Sequence, residues 1–172
     1  MRRLILLRHA KSDRPPGIPD LDRPLNNRGK RVAPQMGTYL AAEGLTPDAV
    51  VVSPALRTRE TWEAVRATLP ECEAKIVTSI YEAPESALLT VVRSMPDAAR
   101  SLLMIGHNPG LQDLAVQLAG SGQEAGLRRL TLEFPTAAVV VLDFGADAWN
   151  AIAPGTGHLE RFVAPKDLDI AD

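Results

Sequence analysis

Four strand-length runs, at residues 3–7, 49–52, 75–79 and 102–105, alternate with stretches of helical periodicity, and this alternation limits the fold more than any other feature. Strands joined through helices pair in parallel, because the crossover reverses the chain twice and packs the helix on the sheet. The expected architecture is therefore a three-layer α/β/α sandwich with a mostly parallel sheet. Later runs at 131–134, 137–142 and 158–163 add an antiparallel edge.

The helices have identifiable signals. Between 29 and 43, Val32, Met36 and Leu40 keep an i, i+4 spacing, Ala33 and Tyr39 widen the apolar stripe, and Gly44 supplies a stop. Ser53-Pro54 reads as an N-cap followed by proline at the first helical position, opening a helix to about residue 69. Further helices are predicted over 85–94 and 110–119, the second after the similar signal Asn108-Pro109, and 120–126 reads as a loop. Residues 13–24 hold Pro15, Pro16, Pro19 and Pro24, which prevent a regular helix and suit a surface loop near the end of the first strand, where it could rim a site.

With 172 residues, no internal repeat and no Gly/Ser-rich linker, the chain reads as one domain, 1–172, with fraying expected after Lys166. Nineteen Lys and Arg against twenty-one Asp and Glu give a net charge of -2, so no basic field draws it to nucleic acid or to an anionic membrane. An anion would have to be held by a local cluster. The apolar run at the amino terminus is too short for a signal peptide, and the longest apolar run, 137–142, falls far below the ~20 residues of a membrane helix. With Cys72 as the single cysteine, no intramolecular disulfide is available, so a cytoplasmic location is expected. No cofactor is expected: the chain has no phosphate-binding Gly-Lys loop, no His-Glu-x-x-His, and a misplaced third glycine in the 120–126 stretch.

Three of the early strands end on groups suited to a dianion: Arg8-His9, Ser53-Pro54 leading to Arg57, and His107-Asn108. In a parallel sheet these carboxyl ends lie on one rim, where ligands bind. Arginine offers a planar fork of donors, histidine is a donor or a nucleophile, and helix amino termini favour anions. Each residue alone has a plainer reading: Arg57 as one member of a solvated i, i+3 or i, i+4 pair on its helix, His107 as a hydrogen-bonded structural histidine. Their common position at strand ends favours a phosphate pocket.

The strings Leu7-Arg8-His9-Ala10, Ser53-Pro54-Ala55-Leu56-Arg57-Thr58-Arg59-Glu60-Thr61 and Gly106-His107-Asn108-Pro109-Gly110 resemble, in order and spacing, the motifs of the histidine phosphatase superfamily, the phosphoglycerate-mutase-like fold. The short length, the Arg-His-Ala-Lys-Ser start, Asp22-Arg23-Pro24-Leu25 and the stretch 162–168 are similar to the small SixA-type phosphohistidine phosphatases. The resemblance implies that His9 is a nucleophile forming a phosphohistidine intermediate, with Arg8, Arg57 and His107 binding the phosphoryl oxygens and Asn108 beside them, and with no metal. Glu82 lies where larger members carry a general acid and is the first candidate for that role; Asp13, Asp20 and Asp22 are weaker ones. Only a helix and a strand fit between Arg57 and Glu82, so the expected pocket is open. It would admit a phosphorylated protein, similar to the histidine phosphotransfer domain that SixA acts on. The alternatives are a small phosphomonoester substrate and a phosphoprotein-binding module without turnover.

Overall fold

A computed structural model describes residues 1–170. Seven strands join one sheet in the order β3-β2-β4-β1-β6-β7-β5: β1 (Arg2–Arg8), β2 (Ala49–Val52), β3 (Ala74–Ile76), β4 (Ser101–Gly106), β5 (Ala119–Gly122), β6 (Val139–Phe144) and β7 (Gly157–Val163). The pairs β1·β4, β2·β4, β2·β3 and β5·β7 are parallel; β6 runs against both β1 and β7. This is the mostly parallel α/β/α arrangement expected from the alternation, with its antiparallel pairings in the late half of the chain.

The alternation of side chains along the strands divides the core between two faces. Leu4, Leu6 and Met104 join one buried cluster with Leu88, Leu111, Leu114 and Leu118 of α3 (Glu85–Arg93) and α4 (Gly110–Leu118). Ile5, Leu7, Leu103 and Ile105 join the other with Val32, Met36 and Leu40 of α1 (Asn27–Ala42), and Trp62 and Val65 of α2 (Leu56–Val65). Each fully buried Leu or Ile contributes roughly 1.5–3 kcal/mol over its exposed state. The sheet is thus fixed between two helical layers, and its strand ends are rigid supports.

Several local expectations are corrected. Ser53 does not cap α2; the helix starts at Leu56 with Ala55 at the cap position, and Pro54 precedes it. The third strand is only Ala74–Ile76, followed by a 3₁₀ turn over Thr78–Ile80. The stretch expected as a loop holds the edge strand β5 and the start of α5 (Glu124–Leu132), and α5 also takes the first half of the strand expected at 131–134. There Leu127 and Leu130, three apart, turn inward while Leu132 is exposed, so helical period wins over the apparent alternation. After Lys166 the chain does not fray at once: Pro165–Leu168 form a 3₁₀ turn tied by the Asp167–Arg129 ion pair, and the final two residues of the expected acidic tail lie outside the described ones. Among the described residues, no helix is long and apolar enough to cross a membrane.

Candidate active site

Strand register brings the site together. Arg8 pairs with Gly106 and Val52 with Ile105, so the residues that follow, His9, Ser53 and His107, leave the sheet side by side. Backbone bonds hold this exit: His9 N–H donates to the Gly106 carbonyl and Ser53 N–H to the Ile105 carbonyl, both at 3.1 Å. The His9 and His107 rings lie 5.4 Å apart between centroids. Arg57, in the first turn of α2, is buried and reaches the same place from the helix.

His9 is only 7% exposed. Its Nδ1 lies 2.7 Å from the Ala10 carbonyl oxygen, which can only accept, so Nδ1 carries the proton and Nε2 keeps its lone pair. Burial pushes its pKa down to about 3, and His107, Arg57 and Arg8 add in the same direction. The ring is therefore a neutral base near neutral pH. Ala10 N–H donates to Thr61 Oγ1 at 3.0 Å and that hydroxyl donates to the Arg57 carbonyl, which ties the His9 turn to α2.

His107 Nε2 lies 2.7 Å from Ser53 Oγ. That oxygen also accepts the Ala55 N–H at 3.3 Å; with its own proton directed to Nε2, Nδ1 of His107 is the nitrogen that carries the ring proton. Burial, then the charge of Arg57, lower the His107 pKa to about 4. Three buried nitrogens here have no partner among the described residues: Arg8 Nε, Arg57 Nε and His107 Nδ1. Unpaired buried donors are costly, and the three residues that carry them line one cleft with His9, a grouping of donors suited to an oxyanion with several equatorial oxygens.

The remaining bonds of the two arginines orient them. Arg8 Nη1 donates to the Phe134 carbonyl at 2.9 Å, and burial with the nearby Arg57 charge lowers its pKa. Arg57 Nη1 donates to the Asp20 carbonyl at 2.7 Å and Nη2 to Asp20 Oδ2 at 3.1 Å. The Tyr81 hydroxyl and Arg23 also donate to the Asp20 carboxylate, and these three donors hold its pKa well below the usual carboxylate range; Tyr81 is raised in turn to about 12. Asp20 is therefore ionised and unsuited to donate a proton. Asp13 and Asp22 are exposed and stand outside the lining of the cleft.

Glu82 does line the cleft, from an exposed turn with φ 53°, a conformation non-glycine residues adopt at some cost. The turn is held close to α4, because a Cβ at Gly110 would lie 2.3 Å from the Ala83 carbonyl oxygen. Asn108 is in the wall, but its amide is engaged: Nδ2 donates to the Phe134 carbonyl at 3.2 Å, and Oδ1 accepts the Gln112 N–H at 3.3 Å. Its geometry fits positioning rather than direct contact with an anion. Lys11, Ser12, Arg14, Arg23 and Thr136 also line the cleft, which has a volume of about 480 Å³ and exposed residues Lys11, Arg14 and Asp20 at its rim. Sequence reasoning missed these as site residues; the proline-rich loop beside the first strand end is the signal for Arg14 and Arg23, and Lys11 and Ser12 stand in the Arg-His-Ala-Lys-Ser start. Between Arg57 and Glu82 the chain forms only α2, β3, two short 3₁₀ turns and their connections, so no inserted segment from this stretch roofs the cleft.

Residues 4–83, which hold the first two motifs, match the family model of the histidine phosphatase superfamily (branch 1). An uncharacterized protein of Mycobacterium tuberculosis is 36% identical over 162 residues, spanning 93% of this chain and all of the relative. The proposed phosphohistidine phosphatase SixA of Nakamurella multipartitia superposes with a TM-score of 0.85 at 26% identity, covering 95% of this chain and 96% of the other. The chain belongs to the histidine phosphatase superfamily. The corresponding SixA structure from Agrobacterium tumefaciens gives a TM-score of 0.79 at 28% identity over 95% and 98% of the two chains. Within the superfamily the protein is of SixA type, and it is a phosphatase. The fold alone extends to a SixA structure complexed with tungstate, at 21% identity and a TM-score of 0.73.

Proposed function

We propose that the protein is a metal-independent phosphohistidine phosphatase that takes a phosphoryl group from a histidine side chain of another protein. The observation that carries this reading is the state of His9: Nδ1 is bound to the Ala10 carbonyl, the ring is neutral, and the free Nε2 belongs to a cleft lined by Arg8, Arg57 and His107. In the first step Nε2 attacks phosphorus and the P–N bond of a substrate ring already protonated by solvent on its other nitrogen breaks, so the imidazole departs neutral with the electron pair of that bond. Arg8, Arg57 and His107 donate to the equatorial oxygens, where charge develops in the transition state. Water then attacks the phosphohistidine, its proton passing to solvent or to Glu82, and inorganic phosphate leaves with His9 restored.

A protein substrate is supported by the unroofed cleft, and by the two SixA neighbours above 25% identity. A phosphohistidine leaving group needs little acid assistance. The phosphomonoester reading has one observation in its favour, the Glu82 carboxyl in the cleft wall, which could protonate an alkoxide. A phosphoprotein-binding module without turnover would not need the unprotonated Nε2.

The test is phosphate release from a phosphohistidine-bearing protein and from an aryl phosphate, in chelator-treated buffer, with His9→Ala as blank. Turnover of the protein, lost in His9→Ala with circular dichroism unchanged, is expected, together with an acid-labile, base-stable phosphoenzyme. Turnover of the aryl phosphate alone would transfer the reaction to a small ester. Silence on both would favour the binding module.

A further inference from the structure

The cleft carries more positive charge than a phosphoryl group uses. Five cations line it, Arg8, Lys11, Arg14, Arg23 and Arg57, against two carboxylates, Asp20 and Glu82, and both histidines are neutral. A dianion bound at His9 leaves one positive charge in excess, in a protein whose net charge is -2.

The cations divide into two groups. Arg8 and Arg57 are buried or half-buried and face the reacting phosphoryl, while Arg23 is consumed by the Asp13 carbonyl, Asp20 and Ser12 Oγ. Lys11 and Arg14 are exposed on the rim, and their side chains pair with no described residue. The backbone beneath Lys11 is fixed. Asn26 N–H donates to the Lys11 carbonyl at 3.0 Å, Asp13 N–H to the Pro24 carbonyl at 2.8 Å, and Ser12 bridges Leu25. Gly29 of α1 packs so closely that a Cβ there would lie 2.1 Å from the Lys11 carbonyl oxygen. Such investment in the position of a surface segment is not needed for solubility.

Resting on the phosphohistidine reading, we infer that Lys11 and Arg14 form a specificity ledge that binds an acidic side chain close to the phosphorylated histidine of the partner protein. The ledge holds the partner beside the clamp and makes no contact with the transferring phosphoryl. Two solvent-exposed charge pairs are modest in energy, so the preference should be about fivefold at low salt and should shrink as salt rises.

The experiment compares phosphohistidine peptides that differ only in flanking Glu or Gln, each assayed with the wild-type protein and with the double variant Lys11→Gln/Arg14→Gln. The readout is the ratio of kcat/KM for the two peptides within one protein, so a general loss of activity cancels. A ratio of about five in the wild type, falling to about one in the double variant and in high salt, is expected. A wild-type ratio near one, or an unaltered ratio in the variant, overturns the ledge. Aryl phosphates with and without a carboxylate separate the two readings: if these alone are turned over, the protein-substrate reading fails, and a carboxylate preference lost in the variant would keep the ledge for a small acid. If wild type turns over none of the substrates, both readings fall.

Discussion

Lowering the pH from about 7 to about 4.5 should weaken the folded protein through its two buried histidines, and a His9→Gln variant isolates the share of one of them. Burial lowers His9 from 6.5 to about 3 and His107 to about 4, whereas in the unfolded chain each protonates near the ordinary value. Between those limits the unfolded chain binds protons that the folded chain refuses. Stability is therefore fully present above about pH 6.5 and is lost as pH falls through the window. Each pH unit costs about 1.4 kcal/mol per histidine, so two units through His9 amount to about 2 kcal/mol after allowance for its slight solvent contact. Urea unfolding at both pH values and constant ionic strength measures this. The wild type should lose about 2 kcal/mol more than His9→Gln, with His107 and the carboxylates carrying the rest. Equal losses in the two proteins would mean that folded His9 takes up its proton as readily as a free imidazole, and would refute the account of an unprotonated Nε2 maintained by burial.

Arg57→Ala removes a clamp donor and the anchor of Asp20 together, and should lower kcat/KM by about a hundredfold or more; a variant with intact turnover would remove Arg57 from the chemistry. Glu82→Gln should change phosphohistidine hydrolysis by less than about threefold but depress any alkyl phosphate activity by about a hundredfold, and equal loss on both would make Glu82 essential to the common step. Gly110→Ala puts a methyl 2.3 Å from the Ala83 carbonyl oxygen and should destabilise the protein by about 1–3 kcal/mol, seen as a lower Tm; an unchanged Tm would mean the Glu82 turn yields freely.

Strand β2 was legible to the residue, because Ala49–Val52 is bounded by polar and proline signals, and α1, α3, β4 and α4 were legible within a few residues. The segment 119–134 was not. Strand β5, Ala-Gly-Ser-Gly, is an edge strand held to β7 through its backbone, and such pairing leaves no hydrophobic pattern to read. At the site, Arg8, His9, Arg57 and His107 were visible because strand ends must converge. Asp20 and Tyr81 were not seen as one network, since they are 61 residues apart and only the folded loop joins them. Ser53 was read by its local signal as a cap, whereas its hydroxyl serves a histidine 54 positions away.

The carbonyl of Phe134 receives both Arg8 and Asn108, and it is brought there by the one strand that runs against its neighbours, since β6 starts at the end of the sheet where β1 finishes. A main-chain oxygen is supplied by whichever residue occupies the position. The aromatic ring of Phe134 is tied to the core and to Phe162, while the anchor for the arginine beside the nucleophile is set by the chain path itself.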